Sequence, residues 1–152
     1  MLYENDVVDA VCDYLKKQGF TIESRCSSTE RGDDIVAVRA GIRLFLEAKG
    51  EGSAREGTAR YGKCFNSGQV FDVVAKAFYR AAVMLQRGPV GCRAGLALPD
   101  TPEFRKRVKA IDQTLTRLGF VIFWVTPDRV VTESATLAIT NRSGPHVNFH
   151  SQ

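Results

Sequence analysis

Three ionisable residues, Asp34, Glu47 and Lys49, have the types and spacing that could do chemistry together. Residues 34–39 and 42–49 are rich in Val, Ile, Leu and Phe, and Ala40-Gly41 between them reads as a tight hairpin turn. If Ala40 and Gly41 form a two-residue turn, Arg39 opposes Ile42, and counting outward sets Asp34 directly across from Glu47. A four-residue turn preserves that register, whereas a three-residue turn breaks it. Opposed residues on antiparallel strands hold their Cβ atoms about 4.5–5.5 Å apart on one face. Lys49 shares the face because strand side chains alternate.

Two facing carboxylates repel one another as bare anions. A divalent cation resolves the repulsion, and Mg²⁺, with Mn²⁺ as substitute, is the expected one. Mg²⁺ prefers hard oxygen ligands, often takes only one or two carboxylates, and fills its shell with water and phosphate oxygens. An ammonium beside the ion can orient a water or neutralise charge on a phosphate oxygen. Phosphodiester hydrolysis needs these parts: a Lewis acid, an in-line water, and positive charge for the developing anion. The same residues also fit a plain structural role, with Asp34 capping backbone amides and Glu47 and Lys49 forming an exposed ion pair.

These residues must be positioned by the elements around them. Val7, Val8, Val11, Cys12, Tyr14 and Leu15 recur at helical intervals over residues 5–18, and Gly19 stops that helix. Residues 20–22 read as a short strand, 24–32 as a polar loop, and 34–39 and 42–49 as the hairpin. Residues 50–68 are rich in Gly, Ser, Thr and basic side chains and read as a long loop. Helical spacing returns over 69–86, a small-residue apolar strand follows at 94–98, and a further helix runs from Pro102 to about Leu118. Asp100 or Thr101 is its N-cap, with Pro102 at the first helical position. Residues 121–125 are a strongly apolar strand. The predicted order is helix, three strands, helix, strand, helix, strand: an α/β chain with a mixed sheet flanked by helices on both faces. Residues 1–132 form one predicted domain, and 133–152 a weakly patterned tail.

Composition narrows the function classes. A chain of 152 residues, 44% hydrophobic and 25% charged, can bury one sizeable core and is not disordered. No apolar stretch is long enough for a membrane span, and the acidic amino terminus lacks a signal core. The net charge of +4 permits a polyanionic partner without demanding one. Cys12, Cys26, Cys64 and Cys92 are scattered with no C-x-x-C pair, which suits reduced thiols in the cytoplasm.

The run Gly32-Asp33-Asp34-Ile35-Val36-Ala37, followed by Leu44-Phe45-Leu46-Glu47-Ala48-Lys49-Gly50, resembles the core signature of the PD-(D/E)XK nuclease superfamily. That superfamily includes restriction endonucleases and archaeal Holliday junction resolvases. The resemblance implies a restriction-endonuclease-like fold, with Asp34 and Glu47 as Mg²⁺ ligands, the Ala48 carbonyl joining them, and Lys49 assisting the attacking water. Asp33 stands where the signature has Pro, so either Asp33 or Asp34 could be the ligand, and the opposed register favours Asp34. An acid from the first helix is implied as well. Glu4 is the candidate, Asp6 and Asp9 are its rivals, and all three also fit acids that complement a helix dipole. Gln69 resembles the polar residue on the helix after the signature strands, though a plain N-terminal position explains it equally.

Arg55, Arg60 and Lys63 on the Gly-rich loop suit contacts to a phosphate backbone. Tyr61 or Phe65 could stack on a base. The basic residues of the 102–118 helix read as a solvated surface, and His146 and His150 lie in the tail without an accompanying acid. The expected activity is a metal-dependent endonuclease that hydrolyses DNA phosphodiester bonds through a metal-activated water, with a homodimer or a partner-dependent subunit as the expected assembly. The alternative is a nuclease-fold DNA-binding or assembly subunit that does not cut. An unrelated α/β protein, with the triad an accident, is the further rival.

Overall fold

The computed structural model describes residues 1–27, 32–54 and 56–134. The hairpin turn forms where the sequence places it. Ala40 and Gly41 both have positive φ, 50° and 75°, the two-residue geometry whose twist matches that of the flanking strands. Strands β2 (Ile35–Arg39) and β3 (Ile42–Ala48) pair antiparallel with Arg39 opposite Ile42 and Ile35 opposite Leu46. Asp34, one residue before β2, therefore falls opposite Glu47.

Around this hairpin the sheet grows in chain order. It has six strands, β1 (Thr21–Arg25), β2, β3, β4 (Arg93–Pro99), β5 (Val121–Val125) and β6 (Val131–Glu133), each beside its neighbour in sequence. The first three are antiparallel, β3, β4 and β5 are parallel, and β6 returns antiparallel. The chain is thus α/β with an open mixed sheet. Helix α2 (Ser67–Arg87) links β3 to β4, and α3 (Pro102–Lys109) with α4 (Asp112–Arg117) links β4 to β5. Two crossovers of one hand that step the same way across a sheet lie on the same face.

Helix α1 (Glu4–Lys17) covers the opposite face. Val7, Val11 and Leu15 pack there with Ile35, Ala37, Leu44, Leu46 and Phe123. Burying each such side chain contributes roughly 1.5–3 kcal/mol, well beyond what helix propensity supplies to a segment this short. On the α2 side, Val70, Val74, Ala77, Ala81 and Met84 meet Val36, Phe45, Leu96 and Trp124. Strand alternation puts Asp34 on the face of Val36 and Glu47 on the face of Phe45, both beneath α2.

Some boundaries differ from the sequence expectation. Strand β1 extends to Arg25 because it is an edge strand, where exposed Glu23, Ser24 and Arg25 hide the alternation. The expected single helix from Pro102 is two: the chain turns at Ala110 and Ile111, with no Gly or Pro to mark the break. Thr101 is the N-cap, its hydroxyl accepting from Phe104 N–H. Strand β6 reaches Glu133, one residue into the segment expected as tail, and Tyr14 Oη donates to Glu133 at 2.7 Å. His146 and His150 lie outside the described residues.

Candidate active site

Asp34, Glu47 and Lys49 converge at the carboxyl end of β3. Lys49 Nζ lies 2.7 Å from Glu47 Oε1, 3.3 Å from Glu4 Oε2 and 3.9 Å from Asp34 Oδ2. Asp34 Oδ2 also accepts a hydrogen bond from Ala48 N–H at 2.7 Å. The amide-capping role open to Asp34 is therefore present, whereas the Glu47–Lys49 pair is buried rather than exposed. Asp33 points elsewhere and pairs with Arg87.

Glu47 is fully buried. Neither of its oxygens receives a hydrogen bond of good geometry among the described residues. Its two cationic neighbours, Lys49 and Arg80 at 3.3 Å, both address Oε1. Burial pushes its carboxyl up to about 7, with Lys49 pulling the other way and the Asp34 charge adding to the rise. For Lys49, burial favours the neutral amine, but Glu4, Glu47 and Asp34 together outweigh it and hold the ammonium above its ordinary value.

The approach of Glu4 depends on Gly50. A Cβ there would come 2.6 Å from the Glu4 backbone nitrogen and 2.9 Å from the Leu2 carbonyl oxygen. The chain after Lys49 thus passes directly beneath the start of α1. Glu51 fastens the contact: its N–H donates to Leu2 O at 2.8 Å, and its Oε2 accepts from Leu2 N–H at 2.9 Å. Of the three first-helix acids, Glu4 is the one whose carboxylate meets Lys49. Asp6 accepts from Tyr3 N–H and pairs with Arg129, and Asp9 pairs with Arg25.

Glu4 joins the acids through Lys49 instead of clustering with them. Among the described residues no group of three or more His, Cys, Asp or Glu side chains is placed to hold a metal ion. The donor set that remains for Mg²⁺ is the Asp34 and Glu47 carboxylates with the carbonyl of Ala48. Two carboxylates lie within what this ion commonly takes from a protein, and the orphaned, buried Glu47 Oε2 fits a cation.

Gln69 does not reach this cluster through its capping contacts. Its Oε1 accepts from Asn66 N–H at 2.9 Å, and its own N–H donates to Asn66 Oδ1, completing a capping box at the start of α2. The α2 residue that does reach Glu47 is Arg80, about 16 Å further along the helix at the α-helical rise. Sequence reading missed it because a single arginine beside the buried stripe Ala77, Ala81 and Met84 carries no motif.

The loop after β3 is more ordered than its composition suggests. Gly52 bridges to Cys64, Ser53 bridges to Tyr61, and Phe65 N–H donates to Glu51 O at 2.7 Å. Arg60 and Lys63 are exposed on it, Phe65 packs against the α2-side core, and Arg55 lies outside the described residues. Arg105, in the later helix pair, is held by Asp100 and stacks over Trp124 with its guanidinium 4.1 Å from the ring centre.

No helix among the described residues is long and apolar enough to cross a membrane. No protein-family model matches the chain, and no curated protein does. Among solved structures, the crystal structure of an fdxN element excision controlling factor protein from Anabaena variabilis is similar, with 16% identity and a TM-score of 0.53. The match covers 84% of this chain and 96% of that one. At that identity the likeness shows the fold alone: an α/β chain with an open six-stranded mixed sheet flanked by helices, compatible with the restriction-endonuclease-like architecture.

Proposed function

We propose that this chain is a Mg²⁺-dependent deoxyribonuclease of the PD-(D/E)XK type, acting in the cytoplasm, with Asp34, Glu47 and Lys49 at its centre. The observation that carries the reading is the fully buried Glu47 carboxylate with an unpartnered oxygen, opposite Asp34 and beside the Lys49 ammonium. Burying a carboxylate costs several kcal/mol unless cations and donors surround it, and Lys49 and Arg80 serve only one of its oxygens.

Asp34, Glu47 and the Ala48 carbonyl would hold the ion. Bound there, Mg²⁺ supplies Lewis-acid polarisation of a phosphoryl oxygen and charge for the leaving group. The chain's own residues do the rest. Lys49, fixed by Glu4 and Glu47, orients the attacking water and offsets charge building on the phosphate. Arg80, half exposed beside Glu47, offers a second cation to a phosphate oxygen. Arg60 and Lys63 add backbone contacts, and a homodimer would let two such sites address two strands.

Incubating the purified chain with plasmid, single-stranded and branched DNA in Mg²⁺ or Mn²⁺ tests the reading. Cutting that vanishes in Glu47→Ala supports it; intact DNA under every condition overturns it. One finding favours a second reading, a nuclease-fold subunit that binds DNA without cutting: the similar solved structure is named as a factor controlling the excision of an element. That reading expects retardation of DNA with no metal-dependent products.

A further inference from the structure

The outer face of α2 continues the site. Lys49, Ala75, Lys76, Tyr79 and Arg80 line an open groove of about 490 Å³, within the size range of small-ligand sites. A second groove, of about 330 Å³, lies on the other side of Tyr79 and Arg80 and reaches Gly32, Asp33 and Arg87. Tyr79 and Arg80 are therefore a ridge between two adjoining hollows, one of which opens onto the Lys49 ammonium.

The side chains on this ridge are of a particular kind. Tyr79 is 69% exposed in the middle of a helix whose other face is fully engaged in the core. A large aromatic side chain left mostly in solvent there buries little of its surface in the fold. Lys76, one residue past Ala75 and a turn before Arg80, is exposed and forms no ion pair with a described residue. Arg80 spans the ridge, with Nη1 at 3.3 Å from Glu47 Oε1 and Nη2 donating to Gly32 O at 3.4 Å. An aromatic face flanked by cations at helical spacing matches the alternation of base and phosphate along an unpaired strand. Exposed rings stack on any base, and neighbouring cations track the backbone. Paired bases, already stacked inside a duplex, present no face to such a ring.

We propose that this face of α2 is the strand-binding track of the site, taking unpaired DNA, with the Tyr79 ring stacked on one base and Lys76 and Arg80 holding the flanking phosphates. The inference rests on the nuclease reading for what happens at Lys49, but binding along α2 can be measured without cutting.

Fluorescence anisotropy of a labelled single strand and of its matching duplex, with the full chain in EDTA, provides the test. Tyr79→Ala should weaken single-strand binding about tenfold, in the range of one base–aromatic stack, and change duplex binding less than about twofold. Tyr79→Phe should keep single-strand affinity, since stacking needs the ring and not the hydroxyl. Lys76→Ala should flatten the salt dependence of single-strand binding by about 0.7 in the log–log slope, the value for one phosphate contact. Because both side chains are exposed, thermal melting should show all three variants folded.

Unchanged single-strand affinity in Tyr79→Ala, or an equal loss on single strand and duplex, overturns the proposal. So does sedimentation showing that Tyr79→Ala splits a dimer while leaving DNA affinity intact, for then a second copy covers this face. Tyr79-dependent strand binding without Mg²⁺-dependent cutting keeps the track and sinks the nuclease reading. Cutting with Tyr79-independent binding does the reverse.

Discussion

The Lys49 ammonium lies 2.7 Å from Glu47 Oε1, in a place where Glu47 has no contact with solvent. The pair is stabilised by attraction and destabilised by the dehydration of both charges, and for Glu47 dehydration wins. Its carboxyl keeps a proton up to about 7, against an ordinary value of 4.5. In the folded chain Glu47 therefore binds a proton over a range in which the unfolded chain has lost it. Stability from this source is full below the unfolded value and is lost as pH rises through about 7, by on the order of 3 kcal/mol. Urea denaturation in EDTA between about pH 5 and about pH 8.5 should show the decline. Glu47→Gln should remove most of it; a wild-type curve that stays flat or rises would contradict the assignment.

Lys49 is shared by Glu4, Glu47 and Asp34, so it competes with any cation that these carboxylates bind. Lys49→Met should abolish cutting and yet bind Mn²⁺ at least as tightly as the wild type. Titration calorimetry checks this, and weaker Mn²⁺ binding in the variant would mean that the ammonium supports the ion site instead of competing with it.

Gly50 is the point at which the chain passes beneath α1. In Gly50→Ala the added carbon would lie 2.6 Å from the Glu4 nitrogen and 2.8 Å from the Tyr3 carbonyl carbon. Those atoms are backbone and cannot swing aside. A loss of about 1–3 kcal/mol is expected, read as a lower denaturation midpoint with an unchanged slope. Cutting should fall with it, because Glu4 is moved off Lys49.

Ala40 holds φ at 50° in the hairpin turn, a conformation that costs an ordinary residue about 1–2 kcal/mol. Asparagine tolerates it better, and Asn-Gly is the preferred pair for this turn. Ala40→Asn should raise stability by about 0.5–1 kcal/mol, visible as a higher melting temperature, with the facing of Asp34 and Glu47 preserved. A lower melting temperature would show that the side chain matters less than the neighbours of the turn.

The sequence made the hairpin legible because register is discrete. With Ala40-Gly41 as the turn, a whole-residue count decides which face each side chain takes, and Asp34, Glu47 and Lys49 follow. Helix α1, the parallel crossover and both covered faces were legible from apolar spacing for a similar reason. What escaped was set by contacts distant in the chain. Arg80 meets Glu47 only once α2 has docked. Glu4 was separable from Asp6 and Asp9 only through the close pass at Gly50. The extension of β1 to Arg25 and the short β6 are held by ladder hydrogen bonds, which leave no hydrophobic period to read. A Gln at the third position of a helix suits a cap as well as a site, and in the structure the Gln69 side chain accepts from Asn66 N–H in a capping box.

The spatial order of the sheet copies its chain order, yet its parallel pairings close long excursions, from Leu44 to Arg93 and from Gly95 to Val121. The smallest closure in it is the turn that brings Asp34 opposite Glu47, while α2, which roofs them, must wait for a much longer excursion to dock on the parallel strands. The facing of the two acids thus rests on a local turn, and their shielding from water on a helix docked from a distance. Weakening the roof therefore lets solvent back to the acids before the hairpin that carries them comes apart, and hydrogen exchange should find the α2 amides opening ahead of those in β2 and β3.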